Sequence, residues 1–258
     1  MTWIVGATSI FGYSVIVSDI QVTCGDSGRR KDILQKAFPM GKYIAAGFAG
    51  DVRAGFALLT SLNNFLDPGD ISDDECWQPD WVADHWPSEA RRVYHDLSVQ
   101  RTAGDTHILM VGAQPQGTDE KRVLGGAIGH ISVFRSPDFT AECQDGGRKA
   151  MSIGCGSDVE DYAEALEHIM RDPGAVYMKG EMASVGGHGR MIAVSLQMTV
   201  QRNPTLGISK HFHLISTRLG AVEQYSTQDM PAVARTWTEL NQMLDKDMDA
   251  ALLTAARS

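Results

Sequence analysis

The order of strand-like and helix-like segments is the feature of this sequence that most constrains its fold. The chain opens with β-branched runs such as residues 13–23, whose partial alternation predicts a pair of strands. Apolar residues at helical spacing follow, strands return, and the same alternation repeats once more. The predicted elements are then strands over 33–38 and 43–48, helices over 51–66 and 88–99, and strands over 107–112, 122–131 and 132–139. Helices over 158–170 and 180–199 and a hairpin over 208–226 follow.

This order predicts a layered α+β sandwich, because two sheets packed face to face, each with two helices outside, would bury every apolar face. Two segments fall outside the pattern. Residues 67–84 contain seven acidic side chains and no basic ones, which predicts an irregular insertion. Residues 230–256 repeat apolar residues at helical spacing, which predicts an added amphipathic helix. We therefore divide the chain into a domain over 1–228, with the acidic insertion, and a C-terminal extension over 229–258.

Composition narrows the classes of partner. The 258 residues carry a net charge of −9 and no block rich in Lys or Arg, so neither nucleic acid nor an anionic membrane is an expected partner. No stretch reaches the ~18 apolar residues of a membrane span. Cys24, Cys76, Cys143 and Cys155 include no Cys-x-x-Cys pair, so no zinc ribbon or disulfide framework is expected. We expect a cytoplasmic protein without metal or other cofactor.

The second residue offers a specific chemistry. Removal of Met1 would leave Thr2 with a hydroxyl and a free α-amine on one residue. An α-amine has a pKa of about 7.7–8.0, so at neutral pH it can accept the proton of the hydroxyl. Nucleophile and base would then belong to the same residue. Chains that start with Met-Thr are common, so this feature alone does not predict an enzyme.

Four motifs, beginning at Thr2, occur in order along the chain. They are Thr-Trp-Ile-Val-Gly at 2–6, Asp-Ile-Gln-Val-Thr-Cys-Gly at 19–25, Ala-Gly-Phe-Ala-Gly-Asp at 46–51, and Ile-Gly-Cys-Gly-Ser at 153–157. Through them the chain resembles the proteasome β-subunits and their bacterial relatives in the two-component ATP-dependent proteases, from Thr2 to about residue 216. The resemblance implies the four-layer αββα sandwich of the N-terminal-nucleophile hydrolases, here with an added C-terminal helix.

The resemblance also implies roles for individual residues. Thr2 is the nucleophile, Asp19 is the carboxylate that anchors a lysine, and the Gly47 amide donates to the oxyanion. Ser157 takes the second serine position of the family's Gly-Ser-Gly-Ser turn. Each position also has a plainer explanation, since Asp19 could cap a turn and Gly47 could permit the bend before Asp51.

The lysine of this set has two candidates. Ungapped counting from the flanking motifs reaches Gln35, which carries no charge. The family's pattern of apolar residues around its lysine fits Lys36, if one neighbouring turn is a residue shorter and the other a residue longer. Lys36 is therefore the first choice and Lys31 the second, while solvation at the surface is the alternative for both. The choice matters because a one-residue slip in a strand turns the side chain to the other face.

Three positions depart from the family's pattern. Cys155 replaces a serine near the nucleophile, and a thiol is a weaker hydrogen-bond partner than a hydroxyl. Asn203 and Leu206 replace the aspartate and serine of an Arg-Asp-x-x-Ser-Gly segment. These changes put ordinary proteasome-type turnover in doubt and allow a modified or weakened site.

The expected activity is that of an N-terminal-threonine hydrolase that cleaves amide bonds in peptides or unfolded protein. The resemblance implies a homo-oligomeric ring, which an ATP-dependent unfoldase could feed. Two alternatives stay open: a ring subunit or scaffold with a defective site, and a non-proteolytic amide hydrolase of the wider N-terminal-nucleophile group.

Other candidate sites rank lower. His211 and His213 could offer two imidazoles to a metal, but no third ligand is evident and solvated edge histidines fit better. The glycines of 186–189 lack the preceding strand and the following Lys-Ser/Thr of a phosphate loop. Trp77 and Trp81, in the acidic insertion, are expected to pin a loop rather than to bind a ligand.

Overall fold

The computed structural model describes most of the chain. The described residues are 2–9, 12–24, 28–41, 43–66, 78–100, 103–115, 126–171, 185–204, 208–218, 221–226 and 229–255.

Twelve strands and five α-helices are formed by these described residues. The strands are β1 (Ile4–Thr8), β2 (Ser14–Asp19), β3 (Gln21–Cys24), β4 (Arg29–Asp32), β5 (Ala37–Met40), β6 (Ile44–Gly50), β7 (Thr106–Pro115), β8 (Ala127–Arg135), β9 (Ala141–Asp145), β10 (Ala150–Ile153), β11 (Phe212–Arg218) and β12 (Ala221–Ser226). The helices are α1 (Val52–Leu66), α2 (Pro79–Gln100), α3 (Glu160–Arg171), α4 (Val185–Arg202) and α5 (Trp237–Ala255).

Ten of the strands form two five-stranded sheets with antiparallel pairing. The first sheet has the order β10-β1-β2-β11-β12 and the second the order β5-β6-β7-β8-β9, while β3 and β4 pair separately. In the first sheet, the N-terminal strands pair with strands from the second half of the chain. Ile4 pairs with Ile153, so the start of β1 lies beside the end of β10.

One apolar cluster receives side chains from both sheets. Ile4 and Ile16 of the first sheet are fully buried there together with Leu109 and Val133 of the second. Val5, the neighbour of Ile4, belongs instead to the cluster on the opposite face of the first sheet. Because successive residues of a strand face opposite sides, both faces of β1 and β2 are buried. This explains why these strands have nearly continuous apolar sequences.

The helices cover the other faces of the sheets. Leu62 of α1 and Trp86 of α2 pack in a cluster with Met110 of the second sheet. Leu196 of α4 packs in a cluster with Val17 of the first sheet. The mixed α/β composition and the antiparallel sheets agree with the predicted fold class. None of the described helices is both long enough and apolar enough to cross a lipid bilayer.

The prediction of an irregular insertion over 67–84 is wrong at its C-terminal end. The helix α2 begins at Pro79, a residue suited to the first helical position because that position needs no N–H donor. Val82 and Trp86, one helical turn apart, are fully buried in the core. The many acidic residues of this segment hid this spacing in the sequence. Residues 67–77 lie outside the described part of the chain.

Other element boundaries differ from the prediction as well. The strand predicted over 33–38 is wrong in its first half, because residues 33–36 form a single bridge at Leu34 and β5 begins after them. The strands β9 and β10 were not predicted because their sequences contain few β-branched residues. Where strands were predicted over 122–131 and 132–139, the described residues from 126 onward form one strand, β8. The helix α5 begins later than residue 230, and Ala234 before it is buried in the core.

Candidate active site

Thr2 lies two residues before β1 and is held by the turn that follows β10. The Thr2 N–H donates to Cys155 Sγ at 3.2 Å, and the Thr2 carbonyl accepts from the Gly156 N–H at 3.3 Å. Gly154 has a φ of +88°, and a Cβ there would lie 2.3 Å from the Thr2 oxygen. Only glycine allows this close approach. The Gly-Cys-Gly-Ser motif therefore fixes the backbone of Thr2.

A buried ion pair lies beside the start of β1. Lys36 Nζ is 2.9 Å from Asp19 Oδ1, with side chains 2% and 0% exposed. The same carboxylate oxygen accepts from the Trp3 N–H at 2.9 Å, and Oδ2 accepts from the Gln21 N–H at 3.0 Å. Asp19 thus connects the ammonium group of Lys36 to the residue after Thr2.

The charge of Lys36 is set by two opposing effects. Burial lowers the pKa of Lys36 from its ordinary value, and the contact with Asp19 acts in the opposite direction. Cys155, the partner of the Thr2 N–H, also acts to raise the pKa of Lys36. We call Thr2, Asp19, Lys36 and Cys155 the Thr2 cluster.

The structure brings Lys36, the first choice from the sequence, to Asp19. Lys31 lies on β4, where it pairs with Val22. Gln35, the residue reached by ungapped counting, is buried and donates from Nε2 to the Ala37 carbonyl at 2.9 Å. The pattern of apolar neighbours was therefore a better guide to position than the residue count.

Thr2 lines a cavity of about 390 Å³. The other lining residues are Ala49, Gly50, Asp105, His107, Arg135, Ser152, Ile153, Gly154, Cys155, Ser157 and Asp158. The Ser157 Oγ is buried and has no hydrogen-bond partner among the described residues. A hydroxyl without a protein partner beside Thr2 is available to a bound molecule or a water.

Gly47, the residue expected at the oxyanion, is not among the residues that line this cavity. In β6 the Phe48 N–H donates to the Lys36 carbonyl at 3.1 Å, toward β5. The N–H groups of a central strand point alternately to its two neighbours, so the Gly47 N–H faces β7. By the same alternation, the Gly50 N–H faces the side of β5, beyond Lys36.

Gly50 was not selected as a site residue from the sequence. It lines the cavity with Thr2 and has a φ of +103°, and a Cβ there would lie 1.9 Å from the Asp105 carbonyl oxygen. These two constraints require glycine. The available signal was the second glycine of the Ala-Gly-Phe-Ala-Gly motif, three residues after Gly47.

The departures at 202–207 lie partly outside the site. Asn203 donates from Nδ2 to Asp161 Oδ2 at 2.8 Å, and its carbonyl accepts from the Tyr162 hydroxyl at 2.8 Å. The ring of Tyr162 in turn stacks on Trp3, with centroids 4.6 Å apart. Asn203 therefore supports the packing around Trp3 and does not line the cavity. Leu206 lies outside the residues that the structure describes.

The lower-ranked candidates occupy other parts of the molecule. His213 is buried on β11, and burial lowers its pKa to about 4. The Nδ1 atoms of His211 and His213 are buried without a partner, and no group of three metal-ligating side chains occurs among the described residues. The glycines of 186–189 lie in the first turns of α4. Trp81 lies on α2 and stacks on Phe65, whereas Trp77 is not within the described ranges.

A second polar cluster, not anticipated from the sequence, spans β8 and β9. His130 Nδ1 is 2.6 Å from Asp145 Oδ1, and His130 Nε2 contacts Ser132 Oγ. Ser132 Oγ is also 3.3 Å from Cys143 Sγ. Burial lowers the pKa of His130, and Asp145 opposes this effect. We call these four residues the His130 cluster.

Comparison with known proteins bears on the fold. No protein-family model matches the chain, and no curated protein matches it in sequence. Among solved structures, Anbu from Hyphomicrobium sp. strain MC1 is 14% identical with a TM-score of 0.52, over 99% of this chain and 97% of that one. Its Gly-1 mutant is 15% identical with a TM-score of 0.55, over 100% and 97%.

Anbu from Yersinia bercovieri, described as an ancestral β-subunit, is 11% identical with a TM-score of 0.58, over 99% of this chain and 96% of that one. The chain has a proteasome-like fold. This agrees with the proteasome-like fold that the motifs from Thr2 onward implied. At 11–15% identity, the likeness concerns the proteasome-like fold and not the roles of individual side chains.

Proposed function

We propose that this protein is an N-terminal-threonine peptidase that becomes active when Met1 is removed. One observation carries the proposal: the buried Lys36–Asp19 ion pair shares a carboxylate oxygen with the Trp3 N–H, directly after Thr2. A buried charge pair is costly to maintain and gives weak evidence for stability alone. The ion pair lies next to Thr2, which carries a hydroxyl and would gain an α-amine on removal of Met1, so we assign it a role in catalysis.

In the proposed reaction, the Thr2 Oγ1 attacks the carbonyl carbon of the scissile amide. The proton of the hydroxyl passes to the Thr2 α-amine, which exists only after Met1 is removed, and then to the leaving amine of the substrate. An ester of Thr2 remains. Water then attacks this ester with the α-amine as base, which releases the carboxylic acid and restores the Thr2 hydroxyl.

Lys36 and Asp19 support this step electrostatically. A positive charge near an amine disfavours its protonated form, so the Lys36 ammonium lowers the pKa of the Thr2 amine. More of the amine is then free to act as a base at neutral pH. Asp19 keeps Lys36 in place and favours its charged form.

We assign stabilisation of the oxyanion to Gly50 in place of Gly47. Support comes from the direction of the Gly50 N–H and from its place on the cavity with Thr2. A backbone donor aimed at developing charge typically contributes about 10²–10³ in rate. Ser157, with a buried hydroxyl that lacks a protein partner, is assigned to proton transfer near the amine.

The proposed substrate is a peptide or an unfolded segment of protein. The four-layer αββα arrangement and a homo-oligomeric ring are part of the proposal, with an ATP-dependent unfoldase as a candidate partner and the cytoplasm as the compartment. Helices on the outer faces and a shared cluster between the sheets support the layering. Light scattering of the purified protein tests the ring, and a monomer would contradict it.

The decisive experiment combines mass and activity. Intact mass of the purified full chain is expected to lack Met1, and an N-terminal-threonine-directed electrophile is expected to label Thr2. Cleavage of a mixed peptide library is expected for the wild type and for Thr60→Ala, an exposed matched control, and to be lost in Thr2→Ala. Retention of Met1, or cleavage by Thr2→Ala equal to that of the wild type, would refute the mechanism.

A second candidate is a proteasome-like subunit with a weak or inactive site. Cys155 favours it, because a thiol replaces the hydroxyl beside the Thr2 nitrogen and holds that nitrogen less well. This candidate predicts a stable oligomer in which Thr2 is not labelled. A third, a non-proteolytic amidase, predicts labelling of Thr2 and turnover of small amides without cleavage of peptides.

A further inference from the structure

The segment that carries Lys36 needs support from outside its own sheet. Residues 33–36 lie between β4 and β5 without forming a regular strand. On one side, the N–H groups of Ile33 and Leu34 both donate to the Ile20 carbonyl, at 3.2 and 3.0 Å. Ile20 directly follows Asp19, so this side ties the segment to the carboxylate partner of Lys36.

The other side is held by the C-terminal extension. The Gln35 N–H donates to the Ala234 carbonyl at 3.0 Å, and the Ala234 N–H donates to the Ile33 carbonyl at 2.6 Å. Leu34 and Ala234 form a parallel bridge, and both are buried, at 0% and 1% exposure. We call residues 233–236 the strap.

The strap is itself fixed by the start of α5. The Thr236 Oγ1 accepts from the Glu239 N–H at 3.1 Å, and Glu239 Oε2 accepts from the Arg235 N–H at 2.6 Å, which closely resembles a capping box. Leu240, one turn into the helix, is 2% exposed and packs in the same cluster as Leu34 and Ala234. The folding of α5 on the core therefore determines where the strap lies.

We propose that the strap positions Lys36 for catalysis, with Ala234 as the positioning residue. The proposal rests on the proposed function, because it assigns a purpose to the C-terminal extension in terms of the Thr2 site. Lys36 immediately follows Gln35, whose N–H is held by Ala234, and Lys36 must reach Asp19 from an irregular segment. A displacement of about 1 Å in a catalytic group can lower the rate by about 10²-fold.

The test removes one hydrogen bond from the strap. Ala234→Pro deletes the N–H that donates to Ile33 and leaves the Ala234 carbonyl in place. Ala232→Pro, at an exposed position just before the strap, is the matched control. Ala234→Pro is expected to lower kcat for peptide cleavage by about tenfold to a hundredfold with little change in KM. The control is expected to match the wild type.

Two further readouts separate positioning from a general structural role. Loss of the Lys36 charge near Thr2 raises the pKa of the Thr2 amine, so the acidic limb of kcat/KM is expected to move to higher pH in Ala234→Pro. Acylation of folded protein, followed by mass spectrometry, is expected to modify Lys36 at least about tenfold faster in this variant, with exposed Lys210 as the internal reference. Acylation does not depend on activity.

These outcomes distinguish the two proposals. One outcome is that the wild type does not cleave peptides, while Lys36 is protected from acylation in the wild type and reactive in Ala234→Pro. This outcome would refute the proposed peptidase activity, but the proposal that the strap positions Lys36 would stand. A folded Ala234→Pro with unchanged kcat, pH profile and Lys36 protection would overturn the positioning. If Ala234→Pro does not fold, Glu239→Ala decides, with exposed Thr238→Ala as its control. Glu239→Ala is expected to change the same readouts by about twofold to fivefold, and no change would again overturn the proposal.

Discussion

The Thr2 cluster and the His130 cluster both combine a hydroxyl, a basic side chain and a carboxylate. In the His130 cluster the contacts even follow the pattern of a serine hydrolase, with Ser132 on Nε2 and Asp145 on Nδ1 of His130. In the Thr2 cluster, the basic side chain of Lys36 contacts the carboxylate of Asp19, and the Thr2 hydroxyl is not its hydrogen-bond partner among the described contacts. By hydrogen-bond pattern alone, the His130 cluster would be chosen as the active site.

Access separates the two clusters. Ser132 is 0% exposed, and α2 packs against β8 and β9 over this part of the sheet. Thr2 lines a cavity of about 390 Å³ together with Gly50. A substrate carbonyl needs space beside the nucleophile and a donor for its oxygen. We infer that the His130 cluster stabilises the edge of the second sheet, whereas the Thr2 cluster performs the chemistry.

The largest expected effect is in the Thr2 cluster. Lys36→Ala is expected to lower kcat/KM by about 10³-fold, because the cation that tunes the Thr2 amine is lost. It is also expected to lower the free energy of unfolding by about 3 kcal/mol, because Asp19 remains buried without its partner. Peptide cleavage and denaturant unfolding measure the two effects.

Lys31→Ala is the matched control for this prediction, since Lys31 was the second choice from the sequence and lies on β4. It is expected to leave kcat/KM within about twofold of the wild type. A loss of cleavage in Lys31→Ala that equals the loss in Lys36→Ala would contradict the assignment of the lysine.

The two serines give the sharpest contrast. Ser157→Ala is expected to lower kcat by about a hundredfold and to leave stability unchanged, because Ser157 Oγ has no partner among the described residues and lines the cavity. Ser132→Ala is expected to leave kcat unchanged and to cost about 2 kcal/mol of stability, because buried His130 loses its hydroxyl partner. If Ser132→Ala lowered kcat and Ser157→Ala lowered only the stability, the His130 cluster and not the Thr2 cluster would be the active site.

The His130 cluster should also be visible in the pH dependence of stability. Burial lowers the pKa of His130, so between that value and its ordinary value of 6.5 the unfolded chain binds more protons than the folded one. The free energy of unfolding therefore decreases as pH falls below 6.5, although Asp145, Asp80 and Asp84 partly oppose this effect. His130→Gln removes this contribution, so chemical unfolding at pH 7 and pH 5 should show a smaller difference in the variant. An equal difference in both proteins would contradict the effect.

The sequence was informative where function depends on local patterns. The spacing of apolar residues selected Lys36, which lies 2.9 Å from Asp19, and the motif after β10 selected the turn that contacts Thr2. The sequence did not distinguish Gly50 from Gly47, because the direction of each N–H follows from strand pairing. Pairing of this kind is a tertiary property that residue types do not encode locally.

The His130 cluster could not be predicted for the same reason. It depends on the register that places His130 opposite Asp145 and Ser132 opposite Cys143. β9 has a sequence without the alternation that marks a strand, so neither its existence nor its register was available. The same holds for the bridge between Leu34 and Ala234, which joins segments from opposite ends of the chain.

The smallest expected effect concerns Cys155, which stands where the proteasome β-subunit pattern that the sequence resembles has a serine. Cys155→Ser replaces the thiol that accepts from the Thr2 N–H with a hydroxyl, a stronger partner. A hydrogen bond improved by about 0.5–1 kcal/mol corresponds to about a twofold to fivefold change in rate. Steady-state cleavage by Cys155→Ser is therefore expected to exceed that of the wild type by this factor. Cys143→Ser, in the His130 cluster, should show no such gain, and a loss of activity in Cys155→Ser would mean that the site is adapted to its thiol.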